Sequence, residues 1–397
     1  MEAHVSQRLK SVRGSAIRKL IELASKSKDA IHLEQGEPSF TTPDHIVEAS
    51  IKAMKEGFTH YGPTPGLPEL REAIAEKLTK ENRIQVNGPE EVLIVSGTQE
   101  AMFLAALAFL EPGDESLILD PYYPAYVEET LIAQAKPVTV PLNEKDDYRI
   151  DAEHLQRHVT SKTRMVWLNS PANPTGNVFS KRDLEAVTEV AQRNNLLVFA
   201  DEIYEKIVYD GVEHVSIGSL PGMEDRVITA NGFSKSYAMA GWRIGYVAAQ
   251  KELLDQMSKL HYYIVLCPST IAQKAALAAL TGPQECVRDM VREYGQRRAT
   301  VLEALGEIEG ISCVSPKGAF YVFPNISKFS KNDDAVAKTL VKKFGVATVP
   351  GSGFGRGGVG HIRISFSAPV TEIKKGMDRF QKGLRQLVPR SVSKTSM

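Results

Sequence analysis

Residues 164–201 read RMVWLNSPANPTGNVFSKRDLEAVTEVAQRNNLLVFAD, and they contain the pattern of a strand, a helix and a second strand. Residues 164–170 and 196–201 are short continuous apolar runs, and residues 180–194 between them have the spacing of an amphipathic helix. Ser180 and Asp183 form a capping pair at the start of that helix. Because continuous apolar strands separated by a helix are covered on both faces, this unit predicts two neighbouring strands of a parallel sheet.

The same alternation of apolar runs and helical patterns extends over the middle of the chain. Five further runs have the length of buried strands, and they are residues 91–97, 116–120, 137–142, 226–231 and 244–249. Further helical patterns occupy residues 98–110 and 251–263. The sequence therefore predicts an α/β fold, in which a large domain of residues 46–285 holds a mostly parallel seven-stranded sheet between helices.

The pattern changes after this domain. The predicted elements are a polar helix at 285–309, strands at 311–314 and 320–324, a helix at 335–344, a strand at 361–365 and a last helix ending near residue 387. We expect residues 286–397 and the N-terminal segment 1–45 to build a smaller α+β domain from both chain ends. The tail from Pro389 onward is predicted to be disordered.

The composition excludes several classes of protein. The 43% hydrophobic and 24% charged content is that of an ordinary soluble globular chain. Lys plus Arg and Asp plus Glu both number 48, and this balance argues against nucleic-acid partners and against an anionic membrane surface. Cys267, Cys286 and Cys313 have neither metal-ligand spacing nor a disulfide pattern. With no signal core and no apolar run near the ~20 residues of a membrane span, a cytoplasmic enzyme without a metal is expected.

Polar side chains follow five of the predicted strands, where parallel α/β sheets bind their ligands. These segments are residues 96–99, 122–123, 169–176, 201–204 and 234–235. In the first of them, the glycine of SGTQE allows a tight turn, and the N–H groups at the start of the following helix can bind an anion. The phosphate-binding patterns GxxxxGK[ST] and GxGxxG are both absent.

Asp201 and Lys235 are the main candidates for chemistry. Asp201 ends an apolar strand, where a carboxylate is partly desolvated and needs a cationic partner, although a surface capping residue is the alternative. Lys235 stands in NGFSKSYAMAGWRIG (231–245), whose small and apolar residues indicate burial, although a solvated loop lysine is the alternative. A buried lysine loses proton affinity and becomes a nucleophile and base. Arg243 suits a phosphate because its donors form a planar fork.

Taken together, five motifs resemble the class I/II aminotransferase family of fold-type I pyridoxal-phosphate-dependent enzymes. They are YGPTPGLPELRE at 61–72, NSPANPTG at 169–176, DEIY at 201–204, SKSYAMAGWRIG at 234–245 and HIRIS at 361–365. The resemblance covers nearly the whole chain, because these motifs occur in the family's order from one end to the other.

The resemblance implies a role for each residue around the cofactor ring. Lys235 would form a Schiff base with the aldehyde of pyridoxal 5'-phosphate and, once freed by a substrate amine, would move a proton between substrate and cofactor. Asp201 would keep the pyridine nitrogen protonated. Tyr204 and Asn173 would hydrogen-bond the ring hydroxyl, and Tyr123 would stack on the ring, although Tyr123 as plain core is the alternative.

The resemblance also implies which groups bind the cofactor phosphate. The backbone of Gly97, Thr98 and Gln99 would hold it together with Arg243. Tyr61 would reach the phosphate of the neighbouring subunit, so the family pattern implies a homodimer with shared active sites.

The substrate carboxylate would be bound by Arg363, with help from Asn173 and the backbone at Gly36. The glycine run 351–360 is predicted to shape a mobile loop beside this arginine. In an aspartate-preferring bacterial branch, a lysine for the distal carboxylate stands where this chain has Thr98, so the second substrate contact is unassigned. We hypothesise that Arg18 meets a dicarboxylic substrate instead.

The predicted function is transfer of the amino group of an L-amino acid to a 2-oxo acid by a ping-pong mechanism through Lys235. The resemblance implies 2-oxoglutarate and glutamate as the common pair, with an aspartate-, alanine- or aromatic-type donor. The alternative is a lyase of the same fold, catalysing β-elimination or ring closure with the same Lys235 and Asp201. A DNA-binding regulator is disfavoured because the family pattern leaves no room for a helix-turn-helix, and an inactive scaffold is disfavoured because both residues are present.

Overall fold

The structure is a computed structural model that describes residues 5–12, 14, 16–26 and 29–387. In these residues the strands are β1 (Ile31–His32), β2 (Val92–Val95), β3 (Glu115–Asp120), β4 (Lys136–Pro141), β5 (Thr163–Asn169), β6 (Leu197–Asp201), β7 (Val227–Gly232), β8 (Gly245–Ala248), β9 (Tyr321–Val322), β10 (Val346–Ala347), β11 (Val349–Pro350) and β12 (Ile362–Ser365). The α-helices are α1 (Gln7–Ser11), α2 (Ala16–Ala24), α3 (Asp44–Lys55), α4 (Pro68–Lys77), α5 (Thr98–Phe109), α6 (Ala125–Ile132), α7 (Ala152–Gln156), α8 (Lys181–Arg193), α9 (Lys251–Val265), α10 (Thr270–Thr281), α11 (Glu285–Gly306), α12 (Asp333–Phe344) and α13 (Val370–Leu387).

The largest sheet has seven strands in the order β2-β8-β7-β6-β5-β3-β4. The pairs β3–β4, β3–β5, β5–β6 and β6–β7 are parallel, whereas β8 runs antiparallel to β2 and β7. Each of the seven apolar runs in the sequence corresponds to one of these strands. Every residue of β2, β3, β7 and β8 is buried, as expected where helices cover both faces. The predicted α/β fold with a mostly parallel sheet is confirmed.

The unit β5–α8–β6 aligns two polar strand ends. The Ser180 side chain accepts a hydrogen bond from the Asp183 N–H, and the Asp183 carboxylate accepts one from the Ser180 N–H, so the predicted capping pair is a complete capping box. One face of α8 packs on the sheet through Leu184, Val187, Val190 and Ala191. The parallel register then pairs Asn169 with Asp201, which places both at one edge of the sheet.

Two smaller sheets complete the architecture. One contains β11, β12 and β9 in that order with antiparallel pairing, and the other is the parallel pair β1–β10. Because Ile31 pairs with Val346, both chain ends contribute to one core, with α2, α11, α12 and α13 around it. The smaller α+β portion built from both chain ends is therefore observed, while the domain limits 1–45, 46–285 and 286–397 stay a prediction.

Short strands account for the differences from the predicted elements. The strand predicted at 311–314 is wrong, because Ser312 forms only a single antiparallel bridge with Asn325 and the segment lies half-exposed at the surface, where no longer ladder forms. Three two-residue strands, β1, β10 and β11, have no periodicity that a sequence could display. The tail from Pro389 lies outside the described residues. Among the helices of the described chain, none has the length and apolar character needed to cross a membrane.

Candidate active site

A cavity of about 750 Å³ opens where the parallel strands end. Its walls include Gly36, Thr98, Gln99, Tyr123, Asn169, Asn173, Asp201, Tyr204, Lys235, Arg243, Tyr321 and Arg363. Every residue predicted for the site lines this cavity except Gly97 and Tyr61. Polar strand ends far apart in sequence are thus brought together at the edge where parallel sheets bind ligands.

Asp201 is the buried carboxylate of the cavity, with 4% of its surface exposed. Tyr126 Oη donates to its Oδ2 at 2.7 Å, and the Ile203 N–H donates to Oδ1 at 3.2 Å. Burial raises the pKa of Asp201 to about 6, although both hydrogen bonds and nearby Lys235 favour its ionised form. The alternative of a surface capping residue is therefore wrong, because the carboxylate is buried. A buried carboxylate needs a cationic partner.

Lys235 follows β7 and extends into the cavity, where its side chain is partly exposed. Its Nζ donates to the Gly36 carbonyl oxygen at 2.5 Å and lies 5.9 Å from the centre of the Tyr204 ring. Desolvation, together with the nearby positive charge of Arg243, lowers the pKa of Lys235 to about 8. The amine is thus neutral in part of the population near neutral pH, which is the form that attacks a carbonyl.

Arg363 in β12 is the most buried cation of the cavity, with 2% of its surface exposed. Its Nη1 donates to Asn173 Oδ1 at 3.1 Å, and its Nη2 donates to the Glu34 carbonyl oxygen at 2.5 Å. The guanidinium carbon lies 4.5 Å from the Tyr321 ring centre and 5.0 Å from that of Phe354. Its Nε is buried with no hydrogen-bond partner in the described chain, so the fork retains capacity to bind a carboxylate.

The turn before α5 brings an arginine to a helix N-terminus. Gly97 is the N-cap residue of this twelve-residue helix and has a φ of +84°, which favours glycine. A Cβ on Gly97 would lie 2.6 Å from Arg243 Nη2, so only glycine allows the guanidinium to lie against the turn. The helix N-terminus and the guanidinium together attract an anion.

Tyr123 lines the cavity beside this turn. Its hydroxyl lies 3.4 Å from Gln99 Oε1, and its ring packs edge-on against Tyr126 with centres 5.7 Å apart. Gln99 Nε2 donates to Glu129 Oε1 at 2.8 Å. Tyr123 is partly exposed at the cavity and also packs against the hydrophobic core, so its stacking on a cofactor ring stays a prediction.

One predicted contact lies away from these residues, and another falls outside the described residues. Tyr61 is 84% exposed and does not line the cavity of its own chain. The side chain of Arg18 lies outside the described residues, so the hypothesis about it stays a prediction.

Two tyrosines of the site were missed from the sequence. Tyr126 donates to Asp201 across 75 residues of chain, and Tyr321 Oη lies 2.8 Å from Tyr204 Oη across 117 residues. Tyr126 lies within helix α6 and Tyr321 within a two-residue strand, so neither stands directly at the end of an apolar run. The available signal was the tyrosine-rich segment PYYPAY at 121–126, which follows β3.

A buried ionic network supports the segment that carries Asp201 and Tyr204. Lys77 Nζ donates to Glu205, whose other oxygen accepts from Asn82 Nδ2 at 2.7 Å. His214 Nε2 lies 3.1 Å from Glu202 Oε2, and this carboxylate raises the pKa of the histidine against the effect of burial. Although Glu202, Glu205 and His214 are close enough to share a cation, the Lys77 ammonium already compensates Glu205.

The whole chain matches known proteins in a consistent way. A family model described as aminotransferase class I and II matches residues 28–380. The chain belongs to the class I and II aminotransferases. An aspartate aminotransferase from Pyrococcus abyssi is 44% identical to this aminotransferase over 384 residues, which are 96% of this chain and 98% of the relative. An aromatic-amino-acid aminotransferase 2 from Thermococcus litoralis is 41% identical over 384 residues, with the same coverage of 96% and 98%.

A solved structure supports the fold assignment independently. A Pyrococcus crystal structure described as protein-A1 has a TM-score of 0.93 and 44% identity, and the match covers 96% of this chain and 99% of that one. This aminotransferase is therefore an enzyme of the transferase class with the fold-type I architecture. The predicted amino-group transfer is confirmed, and the same-fold lyase is not favoured.

Proposed function

We propose that this aminotransferase binds pyridoxal 5'-phosphate in the cavity and moves the amino group of an L-amino acid to a 2-oxo acid. The observation that carries this proposal is the convergence of Lys235, Asp201 and Arg243 on one cavity. When bound, the cofactor supplies an aldehyde that captures amines and a pyridine ring that accepts electrons from the substrate. Both substrates pass through the same site in turn, as in a ping-pong mechanism.

The donor set fits the cofactor at both of its ends. Gly97, which has no room for a Cβ beside Arg243, supports a phosphate site made by the backbone of Gly97, Thr98 and Gln99 with that guanidinium. At the other end, the ionised form of Asp201 is costly because of burial, and a protonated ring nitrogen would stabilise it. The positive charge of Arg243 would thus face the phosphate of the cofactor, and the negative charge of Asp201 would face its ring nitrogen.

Four side chains on the cavity wall surround the place where the bonds of the substrate would change. Lys235 acts as the nucleophile, and its amine afterwards holds and returns a proton at the substrate Cα, as its lowered pKa of about 8 allows. Tyr204 and Asn173 would hydrogen-bond the ring oxygen of the cofactor, and Tyr123 would cover one face of its ring. Their positions on the cavity wall support these roles.

Arg363 would bind the α-carboxylate that amino acids and 2-oxo acids share. Its contacts with Asn173 and with the backbone at Glu34 hold the guanidinium in one orientation, and the Gly36 carbonyl lies close by at Lys235. We propose glutamate and 2-oxoglutarate as the common pair, with an aspartate-, alanine- or aromatic-type donor. The names of the Pyrococcus abyssi and Thermococcus litoralis relatives support the first and last of these types.

We further propose a homodimer in which Tyr61 completes the phosphate site of the partner subunit. Its 84% exposure in one chain supports this role, as does the exposure of Tyr262, Tyr263 and Ile264 at the end of α9. A cytoplasmic location is also proposed, and it is supported by the free cysteines Cys267, Cys286 and Cys313.

The test is the Lys235→Ala variant. We expect turnover to fall by at least a factor of about 10³, because nucleophile and base are both lost, while pyridoxal phosphate becomes exchangeable on dialysis. Lys338→Ala, which removes an exposed lysine from α12, is the control and should retain full activity. Multiple turnovers by Lys235→Ala would contradict the proposal.

The cofactor absorbance distinguishes transfer from elimination. In a transferase, an amino acid alone changes the visible absorbance, and the change persists until a 2-oxo acid is added. A lyase would restore the original absorbance without the oxo acid. Testing a panel of amino donors with 2-oxoglutarate would then identify the preferred substrate.

A further inference from the structure

The glycine-rich loop, residues 351–358 (GSGFGRGG), forms part of the cavity wall and has no role in the chemistry described above. It connects β11 to β12, and its Ser352, Gly353 and Gly355 line the cavity. The mobility predicted for this loop stays a prediction, and in the structure the loop is hydrogen-bonded to two buried carboxylates, Asp120 and Asp333.

Asp120, the last residue of β3, binds the loop directly. It is 1% exposed, and its Oδ1 and Oδ2 accept hydrogen bonds from the N–H groups of Gly357 and Arg356 at 2.9 and 3.1 Å. The Tyr122 N–H donates to the Phe354 carbonyl oxygen at 2.9 Å. Both oxygens of one carboxylate on the large sheet are therefore used to hold a loop that is more than 230 residues away in sequence.

The glycines of the loop make this close approach possible. A Cβ on Gly355, which has a φ of +109°, would lie 2.3 Å from Asp120 Oδ1. A Cβ on Gly357 would lie 2.9 Å from the same oxygen. The loop thus lies on the carboxylate without intervening side chains.

Phe354 connects this anchor to the substrate site. Its side chain is fully buried, and its ring centre lies 5.0 Å from the guanidinium carbon of Arg363. A second ring, that of Phe323, packs edge-on against it at 5.9 Å. Because an interior ring has no free space to move into, a displaced loop would also displace the support of Arg363.

A second buried carboxylate binds the start of the loop and a residue just after its end. Asp333, at the start of α12, accepts from the Ser352 N–H at 3.2 Å and from the Gly360 N–H at 2.8 Å. This contact stays within the smaller portion of the molecule. Asp120 is therefore the anchor that ties the loop to the sheet carrying the proposed cofactor site.

We propose that Asp120 is a positioning residue that keeps Arg363 in place for the substrate carboxylate by holding the glycine-rich loop against β3. The proposal rests on the proposed function, because it takes Arg363 as the carboxylate-binding residue. An amide at position 120 would offer one oxygen to two N–H donors and would turn its own donor towards one of them, so Asp120→Asn breaks the contact with little change in shape.

The test compares Asp120→Asn with Glu115→Gln. Glu115 stands at the opposite end of β3 and is also buried, with its carboxylate bound to Lys136 at 2.8 Å and to Thr160 at 2.6 Å, far from the loop. We expect Asp120→Asn to speed hydrogen exchange of the Arg356 and Gly357 amides at least tenfold. It should raise KM for both amino-acid and 2-oxo-acid substrates about tenfold, with a smaller change in kcat and an unchanged cofactor spectrum. Glu115→Gln should match the parent enzyme in all four measurements.

A second variant tests the same contact from the loop. Gly357→Ala inserts a methyl group against Asp120 and should raise KM in the same way, even if Asp120→Asn fails to fold. Faster exchange in either variant with unchanged KM values would overturn the link to Arg363, and unchanged exchange in a folded variant would overturn the anchor itself. Since exchange is measured without substrate, it reports on the anchor even if the proposed function fails.

Discussion

Tyr321 is the residue at which the two halves of the proposed site meet. Its hydroxyl is hydrogen-bonded to that of Tyr204, and its ring packs on the Arg363 guanidinium. Burial raises the pKa of both hydroxyls, so both stay protonated and one must donate to the other. If Tyr204 donates to the cofactor oxygen, Tyr321 is the group that donates to Tyr204.

Removing this hydroxyl should weaken turnover more than substrate binding. In Tyr321→Phe the ring over Arg363 remains, and we expect kcat to fall about three- to tenfold, the effect of one hydrogen bond, with KM changed less than twofold. The pH midpoint of the cofactor's visible absorbance should shift as well. Tyr294→Phe is the control, because the Tyr294 hydroxyl is buried without a partner in the described chain. Unchanged kcat and spectrum in Tyr321→Phe would refute this role.

Which site residues a sequence can predict depends on where they stand relative to the strands. Asp201 ends one continuous apolar run and Lys235 closely follows another, so the pattern itself points to the edge at which they meet. Tyr126 and Tyr321 reach the site only through packing between distant segments, and no local pattern encodes such a contact. The positions of these two tyrosines in the site therefore become clear only from the structure.

At the scale of elements, the turn at 144–146 ties the edge of the large sheet to the smaller portion of the molecule. Glu144 accepts from Ser312 Oγ at 2.7 Å and from Asn325 Nδ2 at 2.8 Å, and His361 Nε2 lies 3.3 Å from it. The hydrogen bond from His361, with those from the other two side chains, lowers the pKa of Glu144 to about 2 against the effect of burial. Three side chains from the smaller portion of the molecule thus converge on one carboxylate.

This contact should make stability depend on acidity. The pKa of Glu144 in the folded chain lies below its ordinary value of 4.5, so its contribution is complete above that pH and is lost as pH falls towards 2. Glu144→Gln should lower the unfolding free energy at pH 7 by on the order of 1 kcal/mol, and the deficit should shrink below pH 4.5. Urea titrations at several pH values measure this, with Glu153→Gln as the exposed control. A deficit that is the same at every pH would contradict the argument.

The strands of the large sheet and the longer helices were predictable because each contains enough residues to display a hydrophobic pattern. The seven strands of the large sheet and helices such as α8 each carry a continuous pattern. The strands β1, β10 and β11 have two residues each, so pairing with a distant partner defines them rather than their own side chains. The prediction of a strand at 311–314 was wrong for the converse reason. The segment has a strand-like pattern, but it pairs with its neighbour only through the single bridge between Ser312 and Asn325.

At the scale of the whole molecule, one exposed surface contains the tyrosines that a dimer would bury. The end of α9 lies next to the segment before α4, because His261 Nε2 is 3.0 Å from the Thr64 carbonyl oxygen. Tyr61 and Tyr263, which are 84% and 87% exposed, stand on these two segments. His261 also contacts Glu100 of α5 at 2.7 Å, so this surface is linked to the predicted phosphate-binding turn.

A charge on this surface should separate the subunits. We expect the parent enzyme to sediment as a dimer and Tyr263→Asp to weaken the dimer at least thirtyfold, as truncating an interface tyrosine costs about 2 kcal/mol or more. Activity should fall on dilution in step with the dimer fraction. The control Lys181→Asp places an aspartate at an exposed site of α8 instead. It should sediment with the same mass as the parent dimer. A parent enzyme that is monomeric and fully active would refute shared sites.

The parallel pairing of β1 with β10 delays the folding of the N-terminal segment during synthesis. Ile31 and His32 leave the ribosome long before their partners Val346 and Ala347, so the early strand must wait for most of the chain. At roughly 5–20 residues per second, that wait lasts on the order of 15 to 60 s. During this time the apolar side chains that will surround β1, such as Leu33, have no core to enter. The nascent chain therefore exposes apolar side chains near its N-terminus that can associate with other chains. A chaperone that binds this segment during synthesis would prevent such association.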